Sequence, residues 1–198
     1  MSNEMHWYAF KVFCRKVCEL RAGLASAGLE TYYPVQSDGR PYVHSLLFVR
    51  CCEHQLLELR RDASIGNCFS IYTHTRKRKR LDSDQMYECQ VPAPIDDNEM
   101  AVFILVTSAS PDTYTILGPD DPKYHTGQQV RVVAGPFEGL VGRVRRIKKD
   151  RRLVITITGV VAVATVHIDP RLLEPVEENY GAPMCADDIL RNCRFALG

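Results

Sequence analysis

Residues 130–157 read VRVVAGPFEGLVGRVRRIKKDRRLVITI. A short apolar strand stops at Gly135-Pro136-Phe137-Glu138-Gly139 and resumes as a strand studded with arginines. It then turns through Lys148-Lys149-Asp150-Arg151 and returns as Leu153–Ile157. Gly135 and Gly139 supply backbone angles that other residues resist. Pro136 fixes one side of the turn, and Phe137 can fold back as a plug on the end of the β unit. Around this stretch the pattern predicts five strands, at 129–134, 140–147, 153–157, 160–168 and 172–175. Along the fourth, Ala162, Ala164, Val166 and Ile168 alternate with Val161, Val163, Thr165 and His167, which gives an inner and an outer face. About fifty residues in five short strands are too few for a sandwich but enough for a small closed barrel.

Positive charge is concentrated here. The whole chain of 198 residues has a net charge of only +1, with 45% hydrophobic and 25% charged residues, an ordinary globular composition. Residues 127–176 nevertheless hold nine Lys or Arg against four Asp or Glu. Arg143 and Arg145 flank Val144 and so share one strand face. Arg146, Lys148, Lys149, Arg151 and Arg152 crowd the hairpin tip. A barrel built this way presents cations to phosphate without using its core. Charges at a hairpin tip also serve as a solvated guard on edge strands.

Upstream, the pattern predicts an α+β unit. His6–Phe13 reads as a strand, and 15–28 as a helix with Val17, Leu20, Leu24 and Ala27 at helical spacing. Strands are predicted at 30–35, 45–50 and 69–74, with a short helix over 51–62 between the last two. Asp96 is placed to cap a final helix with Glu99 three residues on, and Met100, Phe103, Ile104 and Val106 on that helix can cover the sheet. Tyr114–Leu117 can add an edge strand to this first domain. This order describes helices packed on a mainly antiparallel sheet. The expected organisation is a first domain over 1–117, a linker over 118–126, the β unit over 127–177, and a tail over 178–198 with a short helical stripe. A second basic run, Arg76-Lys77-Arg78-Lys79-Arg80, falls between the strand at 69–74 and one near 87–91. It reads equally as a solvated loop or as a hairpin tip in contact with DNA.

Several function classes find no support. No apolar run approaches the roughly 18 residues that span a bilayer, and the start Met-Ser-Asn-Glu-Met-His lacks the pattern of a secretory signal; the expectation is a cytoplasmic protein. Eight cysteines are scattered without a Cys-x-x-Cys pair, so neither a metal site nor a cofactor is expected. The histidines have no partner at a catalytic spacing, and no phosphate loop, nucleophile elbow or dinucleotide fingerprint occurs. Asp96-Asp97 is better explained by a helix N-terminus than by paired-carboxylate chemistry. An enzyme is not expected.

The segment TGQQVRVVAGPFEGLVGRVRRI at 126–147 resembles a KOW motif, an SH3-like barrel with a Gly-Pro-Phe-x-Gly turn between its strands. WYAFKV, YYPV, SLLFV and PAPIDDNEM, in that order, resemble the N-terminal (NGN) domain that accompanies it in NusG-type transcription elongation factors. WYAFKV followed by LETYYPV, and the closing VVAVATVHIDPRLLEPV, look most like the UpxY-type antiterminators of capsular polysaccharide operons. The resemblance covers about residues 6–176. It implies an N-terminal domain that grips the clamp of RNA polymerase through an apolar pocket, here Tyr8, Val43, Leu46 and Phe48. It departs from the family pattern at His44, where proline is usual, and at Val43, where phenylalanine is frequent. It also implies DNA of the transcription bubble near Arg76, Lys77, Arg78, Lys79 and Arg80, and a barrel that recruits Rho or a small-subunit ribosomal protein. Arg143, Arg145, Lys148 and Lys149 are the candidate nucleic-acid contacts of that barrel. The alternative is an RNA-binding ribosomal or ribonucleoprotein component with a KOW barrel. The low net charge and the extra N-terminal domain stand against it.

Overall fold

A computed structural model describes residues 4–14, 16–80, 85–109, 114–117, 128–135, 137–147, 150–157, 160–165 and 169–176. The linker expected at 118–126 and the tail at 178–198 lie outside the described residues. Contacts divide the chain into two units, residues 1–33 with 43–95, and residues 34–42 with 96–198.

The first unit is built on a mixed-order antiparallel sheet. Strand β1 (His6–Val12) lies at its centre, beside β3 (Leu46–Cys51), with β2 (Glu30–Tyr32) beyond β3. The opposite edge of β1 is shared: β4 (Phe69–Ile71) pairs with Phe10–Val12, and β7 (Pro94–Ile95) pairs with Trp7 and Tyr8. The register sets Tyr8 opposite Val49, Ala9 opposite Phe48 and Phe10 opposite Leu47. Phe10, Leu47, Phe48 and Val49 have no exposed surface, which explains why β3 reads as a continuous apolar run rather than an alternating one. Phe10 stacks on Phe69 with ring centroids 4.4 Å apart.

Two helices belong to this unit. Helix α1 (Val17–Ser26) buries Val17, Leu20 and Leu24, the stripe expected from the sequence. It ends in paired backbone hydrogen bonds, Gly28 N–H to Ala25 O and Leu29 N–H to Leu24 O, a Schellman close. Helix α2 (Glu53–Arg61) buries Leu56, and the Gln55 side chain accepts the Cys52 N–H at its start (3.0 Å). A separate two-stranded ribbon, β5 (Thr73–Lys79) with β6 (Met86–Pro92), completes the unit.

The second unit holds a six-stranded antiparallel sheet in the order β13-β9-β10-β11-β12-β8. Its strands are β8 (Tyr114–Leu117), β9 (Gln129–Val132), β10 (Val141–Ile147), β11 (Asp150–Ile157), β12 (Val161–Thr165) and β13 (Leu173–Pro175). Val130, Val132, Leu140, Leu153, Val154, Ile155 and Ile157 form its apolar interior. The first four and the last of the predicted β-unit strands appear in order, the fourth described only as Val161–Thr165.

Helix α3 (Asp97–Ala109) and β8 depart from the sequence reading, which placed both in the first domain. Strand β8 pairs with β12, and α3 lies against β11 and β12, so both group with the second unit. The helix starts as expected, the Asp96 carboxylate accepting the N–H groups of Asn98 (2.8 Å) and Glu99 (3.3 Å). Its apolar side chains surround the axis, and Met100, Phe103 and Val106 are fully buried. A helix apolar on nearly every side carries no stripe that names the sheet it will cover. Pro34–Tyr42, within the loop between β2 and β3, also groups with the second unit. Val35 bridges to Pro41, and Asp38 pairs with Arg40. Tyr114 donates its hydroxyl to Val35 O (3.2 Å) and packs its ring on Tyr42.

Candidate functional site

The basic run forms part of a strand. Residues 76–79 lie in β5, paired residue by residue with β6: Thr73 faces Pro92, Arg76 faces Cys89, Lys77 faces Glu88, Arg78 faces Tyr87 and Lys79 faces Met86. Arg80 follows, its N–H bonded to Gln85 O at 3.0 Å. Neither a loop nor a bare tip describes this, because the cations are carried on a paired ladder. Thr73 donates to Gln90 Oε1 (3.1 Å), and Gln90 Nε2 donates to Thr75 Oγ1 (2.9 Å). These cross-strand bonds lie on one face of the ribbon and fix its register. Every residue from Thr73 to Arg80 is exposed, and so are Met86 (59%) and Tyr87 (44%). An exposed ladder with this much positive charge can bind polyanions without disturbing a core.

The four apolar residues that the resemblance assigns to the pocket are not brought onto one face. Directly paired residues share a face, so Tyr8 stands with Phe10, Leu47, Val49 and Cys51. Leu46 and Phe48 stand on the other side with Trp7 and Ala9. Tyr8, Leu46 and Phe48 are buried, at 2%, 5% and 0% exposure, while Val43 is half-buried and receives the Leu46 N–H on its carbonyl. Burial pushes the Tyr8 hydroxyl up to about 12, with smaller contributions from the nearby Cys51, Glu53 and Cys52. Burial, aided by Cys52, likewise raises the Cys51 thiol to about 12. Both groups are therefore protonated near neutrality, and Cys51 is no nucleophile there.

In the second unit, the Gly-Pro-Phe-x-Gly turn closes as its sequence requires. Gly135 and Gly139 have φ of +92° and +84°, values that a side chain would strain. Gly139 donates to Val132 O (2.8 Å) and Leu140 donates to Phe137 O (3.1 Å). Phe137 is half-buried at the turn, and Pro136 lies outside the described residues. Arg143 is exposed. Arg145 pairs with Arg152 by backbone register, and its side chain lies outside the described residues, as do Lys148 and Lys149. The Arg152 guanidinium donates to Thr115 Oγ1 at 3.4 Å, which joins one basic residue of the tip to the added strand β8.

Among the described residues, no three His, Cys, Asp or Glu side chains are grouped to hold a metal ion, and no helix is long and apolar enough to cross a membrane. The division of the ribbon into two chemically different faces was the feature missed from sequence. Its signal was present: within residues 73–80 the arginines occupy even positions and the odd positions carry Thr, Thr, Lys and Lys.

No curated protein matches the chain. A solved structure described as "Crystal Structure of MjSpt4:Spt5 complex conformation A" aligns with 87% of this chain and 99% of its own at 13% identity, with a TM-score of 0.25, too low to support an argument. The KOW motif matches residues 126–169, from just before β9 to the end of the β12 region, with the Gly135–Gly139 turn inside it. The second sheet of this protein therefore carries a KOW motif.

Proposed function

We propose that this protein is a NusG-type transcription elongation and antitermination factor. In this reading the N-terminal unit is an NGN domain that binds RNA polymerase, and the KOW segment is an SH3-like barrel that recruits a further factor such as Rho or a small-subunit ribosomal protein. The protein works by binding and not by catalysis, in the bacterial cytoplasm, without a cofactor. Bridging the polymerase clamp disfavours its opening and hence pausing; a differential of about 1.4 kcal/mol shifts such an equilibrium tenfold. The action is operon-specific, of the UpxY kind found at capsular polysaccharide operons.

The observation that carries this reading is a KOW motif at 126–169 following an α+β unit that displays a basic ribbon. Burial of Tyr8, Leu46 and Phe48 favours a core role for them. The polymerase contact is therefore assigned to the first unit as a whole and not to those side chains. The test is co-purification of the tagged full chain with RNA polymerase, followed by transcription across a terminator. Polymerase subunits in the eluate and increased read-through are expected. Ribosomal subunits in the eluate with unchanged read-through would instead identify a ribonucleoprotein component.

A further inference from the structure

The ribbon sorts its cations by type. On one face stand Thr73, Thr75, Lys77 and Lys79 with Met86, Glu88 and Gln90 opposite. The cross-strand hydrogen bonds of Gln90 to both threonines place those side chains together, and Glu88 sits directly across from Lys77. On the other face stand His74, Arg76 and Arg78, followed by Arg80, with Gln85, Tyr87, Cys89 and Val91 opposite. Among the described residues no carboxylate lies on that face, and Tyr87 is 44% exposed directly across from Arg78. The run that reads as five equivalent charges is thus an arginine face and a lysine face with its own acid.

We propose that the ribbon binds double-stranded DNA through the arginine face, with Arg76 and Arg78 as the principal contacts, Arg80 and His74 flanking them, and Tyr87 across from Arg78. This rests on the reading of the basic run as a nucleic-acid contact and assigns it a side, a residue type and a duplex ligand. Three properties point the same way. Guanidinium groups present a planar fork of donors that matches phosphate bidentately, whereas an ammonium group is a compact point charge. Alternate strand residues stand about 6.8 Å apart, close to two base-pair rises of about 3.4 Å each. A two-stranded antiparallel ribbon fits the major groove of a duplex, whereas recognition of a single strand uses successive aromatic platforms, and the described rings of this face are Tyr87 and the imidazole of His74. Lys77, by contrast, stands across the ladder from the carboxylate-bearing Glu88.

The test compares two double variants of the full chain that each remove two charges, R76Q/R78Q and K77Q/K79Q. Binding to a short labelled DNA duplex is followed by fluorescence anisotropy over a salt series, and circular dichroism verifies that each variant folds. The arginine pair is expected to weaken binding about tenfold at moderate salt and to flatten the log–log salt slope by about 1.8. The lysine pair is expected to change the slope by less than about 0.5. Equal losses in the two variants would overturn the face assignment while leaving the ribbon as a DNA contact. No change of slope in either would remove the ribbon from DNA binding altogether. Tighter binding of the single strand than of the duplex, with the same arginine dependence, would overturn the choice of ligand.

Discussion

Strands β1 with β3 and β5 with β6 are two antiparallel pairs in the same unit, with similar lengths and opposite surroundings. The first pair carries Phe10, Leu47, Phe48 and Val49 with no exposed surface. The second exposes every residue from Thr73 to Lys79. Burying a large apolar side chain contributes about 1.5–3 kcal/mol, so the first pair stabilises the fold. The second pair is held by its backbone ladder and the Thr73–Gln90–Thr75 bonds, each hydrogen bond contributing about 1 kcal/mol net. β structure alone therefore does not separate stability from function here; the side chains on each face do. An exposed pair with so little apolar packing contributes little to the core, which fits the binding role proposed for it.

The largest test of this contrast is Phe48→Ala. The phenyl ring is fully buried on β3, opposite Ala9. Its removal leaves a cavity that a sheet interior collapses around only in part, and the expected loss is about 3–5 kcal/mol. Chemical denaturation of the full chain measures it. A loss below about 1 kcal/mol would show that Phe48 is accessible in solution, and would return it to the surface that the family resemblance assigns it.

A second test moves to the KOW sheet. A Cβ on Gly142 would lie 2.9 Å from Leu153 Cδ1 and 3.0 Å from Val154 O. The leucine can give way but the backbone oxygen of the neighbouring strand cannot without moving the ladder, so Gly142→Ala is expected to cost about 1–3 kcal/mol. A melting temperature equal to that of the parent chain would show that β10 and β11 pair more loosely than this register.

The fold was legible where local chemistry decides it. Alternation marked β12, Asp96 announced the start of α3, and the Gly-Pro-Phe-Glu-Gly turn announced its own geometry. What stayed hidden was the choice of partner. Helix α3 is apolar on nearly every side, so Met100, Phe103 and Val106 fit any sheet. Tyr114–Leu117 has strand propensity but nothing that selects β12. The candidate site divided the same way. The basic run was visible as composition, while its faces depended on a pairing register set by Gln90, fifteen residues from Thr75. Tyr8, Leu46 and Phe48 look alike in sequence as apolar strand residues. Only the register shows that the first stands on one side of the sheet and the other two on the opposite side.

Alkaline pH probes the buried pair from another side. Tyr8 and Cys51 share a face of the first sheet, and burial raises both to about 12 from ordinary values of 10.0 and 9.0. In both cases the folded state favours the protonated form, so the folded state binds more protons than the unfolded one above the ordinary values. The stabilisation is complete below about pH 9 and is lost as pH rises through 10 toward 12. The melting temperature should fall across that window, and Tyr8→Phe should reduce the fall because it has no proton to release. A variant with an unchanged alkaline slope would place the titrating group elsewhere.

The smallest effect is expected where the charge is greatest. Arg76, Arg78 and Arg80 stand on one exposed face with about 6.8 Å between neighbours, and among the described residues no acid shares that face. Neighbouring guanidinium groups repel each other only weakly across the high dielectric of water, and salt reduces the repulsion further, the Debye length being about 8 Å at physiological ionic strength. Among the described residues, mutual repulsion is the electrostatic interaction that these arginines contribute to the folded state. Replacing the three arginines with glutamine removes that repulsion and leaves the backbone ladder and the Thr73–Gln90–Thr75 bonds of the opposite face untouched. Stability should therefore change by no more than about 0.5 kcal/mol, and any change should be toward greater stability and should shrink as salt is added. Thermal melts of the triple variant at low and high salt measure both. A loss of stability would mean that the arginines hold the ribbon together, and the division between a pair that stabilises and a pair that binds would not stand.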